Sequence, residues 1–184
     1  ARDLAKAVDL LGWPHDRSAA GDPQSNSLVE RKVKLMKRGM RALLVSSGLP
    51  DSFWPFAFSC FAVLRNVVWK DKNGKTAWVK RTRRAFKGDI IEFGSLVHYI
   101  PSHTTKEGNQ KSIGASSVSG VLLGYELDHG AHFRHKYIVC PIGAFDEVSF
   151  RQGADAFREH LESRIVTVRT LKQQRPVSYP FHEV

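Results

Sequence analysis

Residues 28–66 read LVERKVKLMKRGMRALLVSSGLPDSFWPFAFSCFAVLRN, and this stretch decides the architecture. At about 100° per residue, Leu28, Leu35, Met36 and Leu43 gather on one side of a helix. That helix should run from about Leu28 to Ser46, where Gly48 and Pro50 stop it. Asp51 or Ser52 can cap a second helix reaching to about Asn66, with Pro55 tolerated in its first turn. So short a break predicts an antiparallel helical hairpin.

Upstream, Leu4, Val8 and Leu11 fall at i, i+4 and i+7 and predict a short amphipathic helix ending at Gly12. Residues 13–27 read as a loop, with Pro14, Gly21, Asp22, Pro23, Ser25 and Asn26 supplying turn chemistry. Downstream the composition changes. Residues 70–87 hold eight Lys or Arg and one acidic residue, with Asn73-Gly74 as a turn, and read as a linker or an exposed arm. Runs of β character follow at Ser95–Ile100, Gly120–Tyr125, His135–Cys140 and Ile165–Thr170, separated by Gly, Asn, Asp and Ser clusters. A helical turn is expected within 154–163. There is no internal repeat and no low-complexity tract.

The 184 residues suffice for one ordinary domain or two small ones, and 42% apolar with 25% charged residues is a folded protein's composition. No apolar run has membrane-spanning length; the best, Phe53 to Val68, is short and holds Arg65. Arg2, Asp3, Lys6 and Asp9 interrupt the N-terminus before a signal peptide could form. Cys60 and Cys140 stand alone in apolar segments, which suggests neither a disulfide framework nor a cysteine zinc site and fits an intracellular setting. The net charge of +10 is uneven. Residues 1–88 carry 18 Lys and Arg against 7 acidic residues, or +11; residues 89–184 carry 10 against 11, or −1. Charge confined to one half points to a polyanionic partner there.

Pro23-Gln24-Ser25-Asn26-Ser27-Leu28-Val29-Glu30-Arg31 resembles Pro-Gln-x-Asn-Gly-x-x-Glu-Arg, which closes the catalytic core of copia-type retrotransposon integrases. Further matches keep the family's order: Ser47-Gly48-Leu49-Pro50 with Phe53-Trp54 and Ala57, then Asn66, then Gly74-Lys75-Thr76, then Phe93-Gly94 and Leu123-Gly124-Tyr125. The likeness spans residues 8 to about 170. There are departures. Ser27 stands where the family favours Gly, Ala77 where it has Pro, and Lys80 where it has Glu. The zinc module that precedes such cores is absent. The family's two catalytic aspartates lie farther upstream of the glutamate than the 29 residues present here; Asp3, Asp9, Asp16 and Asp22 have the chemistry but not the context. Ala1 as the first residue fits a fragment of a Pol polyprotein.

The resemblance implies DNA strand transfer, in which carboxylates hold two Mg²⁺ ions that stabilise the attacking and leaving oxygens. Glu30 resembles the third carboxylate of that set, as catalytic and metal-binding residue. The helix model adds that Glu30, Lys34, Lys37 and Arg41 share a stripe of about 60°, a basic face suited to phosphates. Ser27-x-x-Glu30 is equally a capping box, and Glu30 with Lys34 an ordinary i, i+4 ion pair. Gln24 and Asn26 occupy the loop that by resemblance approaches the element's DNA end, or are simply turn formers. Lys80, Arg81, Arg83 and Arg84 are candidate phosphate contacts, or a solvated run. Phe53 and Trp54 read as core more readily than as base-stacking aromatics. His129, His132 and His135 invite a metal site, but at three-residue spacing in a Gly-containing loop they read as a polar loop.

The expected class is α+β: the helical end of a truncated RNase H-like integrase core over 1–69, a basic linker over 70–88, a small antiparallel β-barrel over 89–172, and a tail over 173–184. The expected function is that of an integrase remnant which binds DNA without catalysis. Mg²⁺ belongs to the complete enzyme and should bind this chain poorly; the complete enzyme should be a homo-oligomer, and the chain is expected to be intracellular and nuclear, with DNA as its partner and without membrane contact. The alternative is a non-enzymatic, integrase-derived interaction module. Without a core sheet to cover it, the helical part should self-associate, while the β part folds more independently.

Overall fold

A computed structural model describes residues 10–12, 26–101, 117–146 and 161–182, in two units, Ala1–Leu35 and Met36–Val184. In the first unit, Gly12 takes a left-handed φ of 61° after a helical residue at Leu10. The helix α1 (Ser27–Ser47) starts in this unit, one residue earlier than expected, and its residues from Met36 onward belong to the second.

The second unit is mixed helix and antiparallel sheet. Gly48, at φ 70°, ends α1 in the left-handed conformation that glycine adopts freely, and its N–H bonds the Leu44 carbonyl. The buried Ser47 hydroxyl donates to Leu44 O and accepts from the Leu49 N–H, so the turn satisfies its own polar groups. A 3₁₀ turn (Asp51–Phe53) leads into α2 (Trp54–Val68), with Pro55 in its first turn. The expected side-chain cap is not formed: Asp51 and Ser52 fall inside the 3₁₀ turn, and the cap position, Phe53, has no polar side chain. A short helix α3 (Ala77–Thr82) follows, and later α4 (Gly143–Asp146).

Five strands, β1 (Leu96–Tyr99), β2 (Val118–Asp128), β3 (His132–Pro141), β4 (Val166–Val168) and β5 (Leu171–Gln173), form one antiparallel sheet in the order β4-β3-β2-β1-β5. The expected barrel is therefore not closed. β4 and β5 lie at opposite edges yet are joined by Arg169 and Thr170 alone. Three residue steps reach at most about 11 Å, so the sheet curls until its edges approach at this corner. The two strands meet end to end rather than side by side and cannot pair. β5 was not expected at all; it forms because the exposed edge of β1 pairs Tyr99 with Leu171 and Val97 with Gln173.

Gly120 through Tyr125 are six consecutive buried residues. Successive strand residues point to opposite faces, so this run means that both faces of β2 are covered. On one face Gly124 lies against Cys60 of α2, where a Cβ would come 3.3 Å from the Cys60 Cβ. Ala57, Cys60, Val63 and Val67 form the buried stripe of that helix, and Phe53 of the preceding turn is buried with them. The other face carries Tyr125, Tyr137 and Phe133, packed with Phe86. A polar ladder crosses β2, β3 and β4: Lys136 Nζ reaches Glu126 Oε1 at 2.8 Å and Asp128 at 3.4 Å, Arg134 pairs with Asp128, and Thr167 donates to Glu126. The Lys136 hydrogen bond holds the Glu126 carboxyl below its ordinary range. Such surface pairs contribute at most about 1 kcal/mol each and chiefly fix register.

Candidate nucleic-acid interface

The basic stretch 70–87 is not a plain linker. Asp71 organises its start: one carboxylate oxygen accepts the N–H groups of Asn73 and Lys75, each at 2.9 Å, and its carbonyl accepts Gly74 N–H. Lys70 bridges to Thr76, and Gly74 supplies the φ of 71° that the turn requires. Thr76 then caps α3, its hydroxyl accepting from Val79 N–H at 3.2 Å. Ala77 is the first helical residue, the position at which proline is also favoured, so the departure from Pro leaves the helix intact. Arg83, left-handed at φ 60°, ends it.

Aromatic residues among the charges dock this arm on the sheet. Trp78 meets Phe86 edge-on at 5.1 Å; Phe86 lies 4.8 Å from Phe133 and 6.1 Å from Tyr125. The Arg81 guanidinium sits 5.7 Å over the Trp78 ring and donates to the Gly130 carbonyl at 3.0 Å. Beyond the arm, Tyr137 Oη accepts the Asp89 N–H, while Tyr125 Oη accepts the Ile91 N–H and donates to the Ile91 carbonyl. Burial raises the Tyr125 phenol far above its usual range, which keeps the proton for that donation.

Of the expected phosphate contacts on this arm, Lys80 pairs with Asp71, whose carboxyl is lowered to about 2 by the Lys80 hydrogen bond first and the Lys75 N–H second. Arg81 is engaged by Trp78 and Gly130, whereas Arg83 and Arg84 are exposed. Lys72, Lys75 and Lys87 are exposed as well and extend the patch. The signal that could have revealed the docking is the pair of aromatics, Trp78 and Phe86, inside a charge run.

On α1, Lys34 in the first unit and Lys37 and Arg41 in the second are all exposed. Asn26 precedes the helix, and its carbonyl accepts the Glu30 N–H at 3.0 Å. Gln24 lies outside the described residues, as do Asp3, Asp9, Asp16 and Asp22. Because Ser27 is already helical, Glu30 stands one position beyond the site of a capping-box glutamate. Glu30 is exposed in the first turn of the helix. Among the described residues no three His, Cys, Asp or Glu side chains gather to hold a metal ion. His129 lies in the hairpin turn, and His132 and His135 follow on β3; all three are exposed. Phe53 is buried in the core, while Trp54 is 51% exposed.

Cys60 and Cys140 are buried, and burial pushes both thiols up to about 12. The thiolate is the reactive form. At pH 8 the native chain should therefore react with Ellman's reagent more than a hundredfold slower than the urea-unfolded chain; fast release of two equivalents from native protein would contradict this. A thiol whose folded pKa is raised contributes stability in full below about pH 9, and that contribution is lost as pH rises toward 12. Among the described residues no helix is long and apolar enough to cross a membrane. No protein-family model and no curated protein sequence matches the chain.

Proposed function

We propose that this chain is the closing part of a copia-type integrase, the end of an RNase H-like core followed by a small barrel-like sheet, and that it binds DNA through its basic surface without catalysing strand transfer. The observation that carries the DNA-binding reading is the docked arm. Exposed cations on a fixed scaffold lose less conformational freedom on meeting phosphates than the same cations on a loose linker. Two packing contacts support the ancestry. Gly94 of the Phe93-Gly94 signature abuts Ser47 of the Ser47-Gly48-Leu49-Pro50 signature, and Gly124 of the third signature abuts Cys60. Motifs scattered along the sequence thus share one core.

Fluorescence anisotropy of the whole chain on a short duplex tests this. The logarithm of affinity should fall by about 0.9 per phosphate contact for each log unit of salt. The double variant Arg83→Gln, Arg84→Gln should reduce that slope by about 2. A slope near zero would refute DNA binding. In the same protein, strand joining with Mg²⁺ or Mn²⁺ should be undetectable, because Glu30 alone cannot hold two ions. Joined products that vanish in Glu30→Gln would overturn that part.

A non-enzymatic interaction module is the second reading. It is favoured by Trp54 and Phe58, 51% and 39% exposed at i and i+4 on α2. A salt-insensitive chain that sediments as a dimer, and as a monomer once Trp54→Ser is introduced, would favour it.

A further inference from the structure

A cleft of about 110 Å³ opens between α2, α3 and β2, lined by Val63, Asn66, Ala77, Trp78, Arg81 and Leu127. We infer that it is a pocket for one unpaired nucleobase; this rests on, and deepens, the DNA-binding reading. Sites for drug-sized ligands measure at least about 300 Å³, so this one suits a single planar ring. Its walls have the matching chemistry. Val63, Ala77 and Leu127 offer aliphatic surface. Trp78 and Arg81, the guanidinium lying 5.7 Å over the ring, form a stacked planar platform of the kind on which bases stack. Both are held in advance, Trp78 by Phe86 and Arg81 by the Gly130 carbonyl. Asn66, exposed at the rim near the end of α2, carries an amide donor and acceptor able to read a heterocycle's edge.

The surroundings select a nucleotide rather than a neutral aromatic. Arg83 and Arg84 stand exposed just past the end of α3, the helix that lines the cleft, and would supply charge for a nucleotide's phosphates. In duplex DNA a base is stacked and its edge is paired, so entry requires a single strand, a frayed end or an extruded nucleotide. The pocket therefore predicts a preference for unpaired DNA that charge alone does not give.

The test uses the whole chain and three probes of equal phosphate number: a single strand, that strand with abasic sites, and a duplex. The intact single strand should bind about tenfold more tightly than the abasic one, the order of one base–aromatic stack. Asn66→Ala, at an exposed position, and Arg81→Lys, which keeps the charge but loses the plane, should each narrow that ratio to about threefold or less while leaving the salt slope unchanged. Deoxyadenosine monophosphate should perturb tryptophan fluorescence where deoxyribose phosphate does not. Equal affinity for intact and abasic strands would overturn the pocket and leave DNA binding standing. If no strand binds, the DNA reading falls, and a silent monophosphate titration then removes the pocket too.

Discussion

Gly94→Ala should lower the unfolding free energy by roughly 2–5 kcal/mol, a large share of the roughly 5–15 kcal/mol of an ordinary domain. Two separate costs combine. Gly94 has φ 76°, where a Cβ crowds the backbone and costs about 1–2 kcal/mol. The new methyl would also fall on the Cβ of Ser47, a fully buried residue at the end of α1 that is held by its own hydrogen bonds. Overpacking of that kind adds about 1–3 kcal/mol. Gly48→Ala should behave alike, since its Cβ would meet the backbone carbonyl of Phe181, which has no rotamer through which to yield. Gly74→Ala separates the two costs. It has nearly the same φ, 71°, but nothing within 4 Å of its Cβ, so it should lose only about 1–2 kcal/mol. Urea denaturation of the three variants decides the matter. Equal losses at Gly94 and Gly74 would show that the contact with Ser47 costs nothing.

These glycines also mark what was legible in the sequence. The two helices were clear from the apolar spacing at Leu28, Leu35, Met36 and Leu43 and from the stop at Gly48 and Pro50. The segments that hold β1 to β4 were clear from their β-branched and aromatic runs. β5 was not, because Leu171-Lys172-Gln173 has neither length nor alternation and is a strand only by virtue of β1 beside it. The barrel expectation failed for a related reason: closure depends on whether two three-residue strands lie side by side, and no periodicity in the chain encodes that. Charge concealed the arm. Eight cations between residues 70 and 87 read as solvated, and of the two rings that pin them Trp78 meets Phe86, whose own partners, Tyr125 and Phe133, lie some 40 to 50 residues away. Of the candidate site, the cations were readable as residue types. Which of them would be spent on Asp71 or Gly130, and which would face solvent, was decided by packing.

Residues 89–184 expressed without the preceding 88 should fail to form the native sheet. The independence expected for the β part presumed that its apolar side chains cover one another, and the central strand contradicts that. Gly120 to Tyr125 is buried on both faces, and residues before Asp89 supply cover to each. α2 covers one face, with Cys60 on Gly124, Val63 and Val67 in the same buried stripe and Phe53 of the preceding turn buried with them. Each large apolar side chain moved out of water contributes about 1.5–3 kcal/mol, so losing those three alone approaches the whole stability of a small domain. Phe86 covers the other face, and Tyr125 and Tyr137 would lose the Ile91 and Asp89 segment's continuation into it. The isolated fragment should show collapsed amide dispersion and strong binding of a hydrophobic dye, and adding residues 26–88 in trans should restore the dispersion. Within the intact chain, Phe86→Ala should cost about 3 kcal/mol, the low end for a core phenylalanine because the ring is only half-buried. A fragment 89–184 that is well dispersed and melts cooperatively by itself would show that the helices and the arm rest on a self-sufficient sheet. The docked arm would then have to be explained by its function alone.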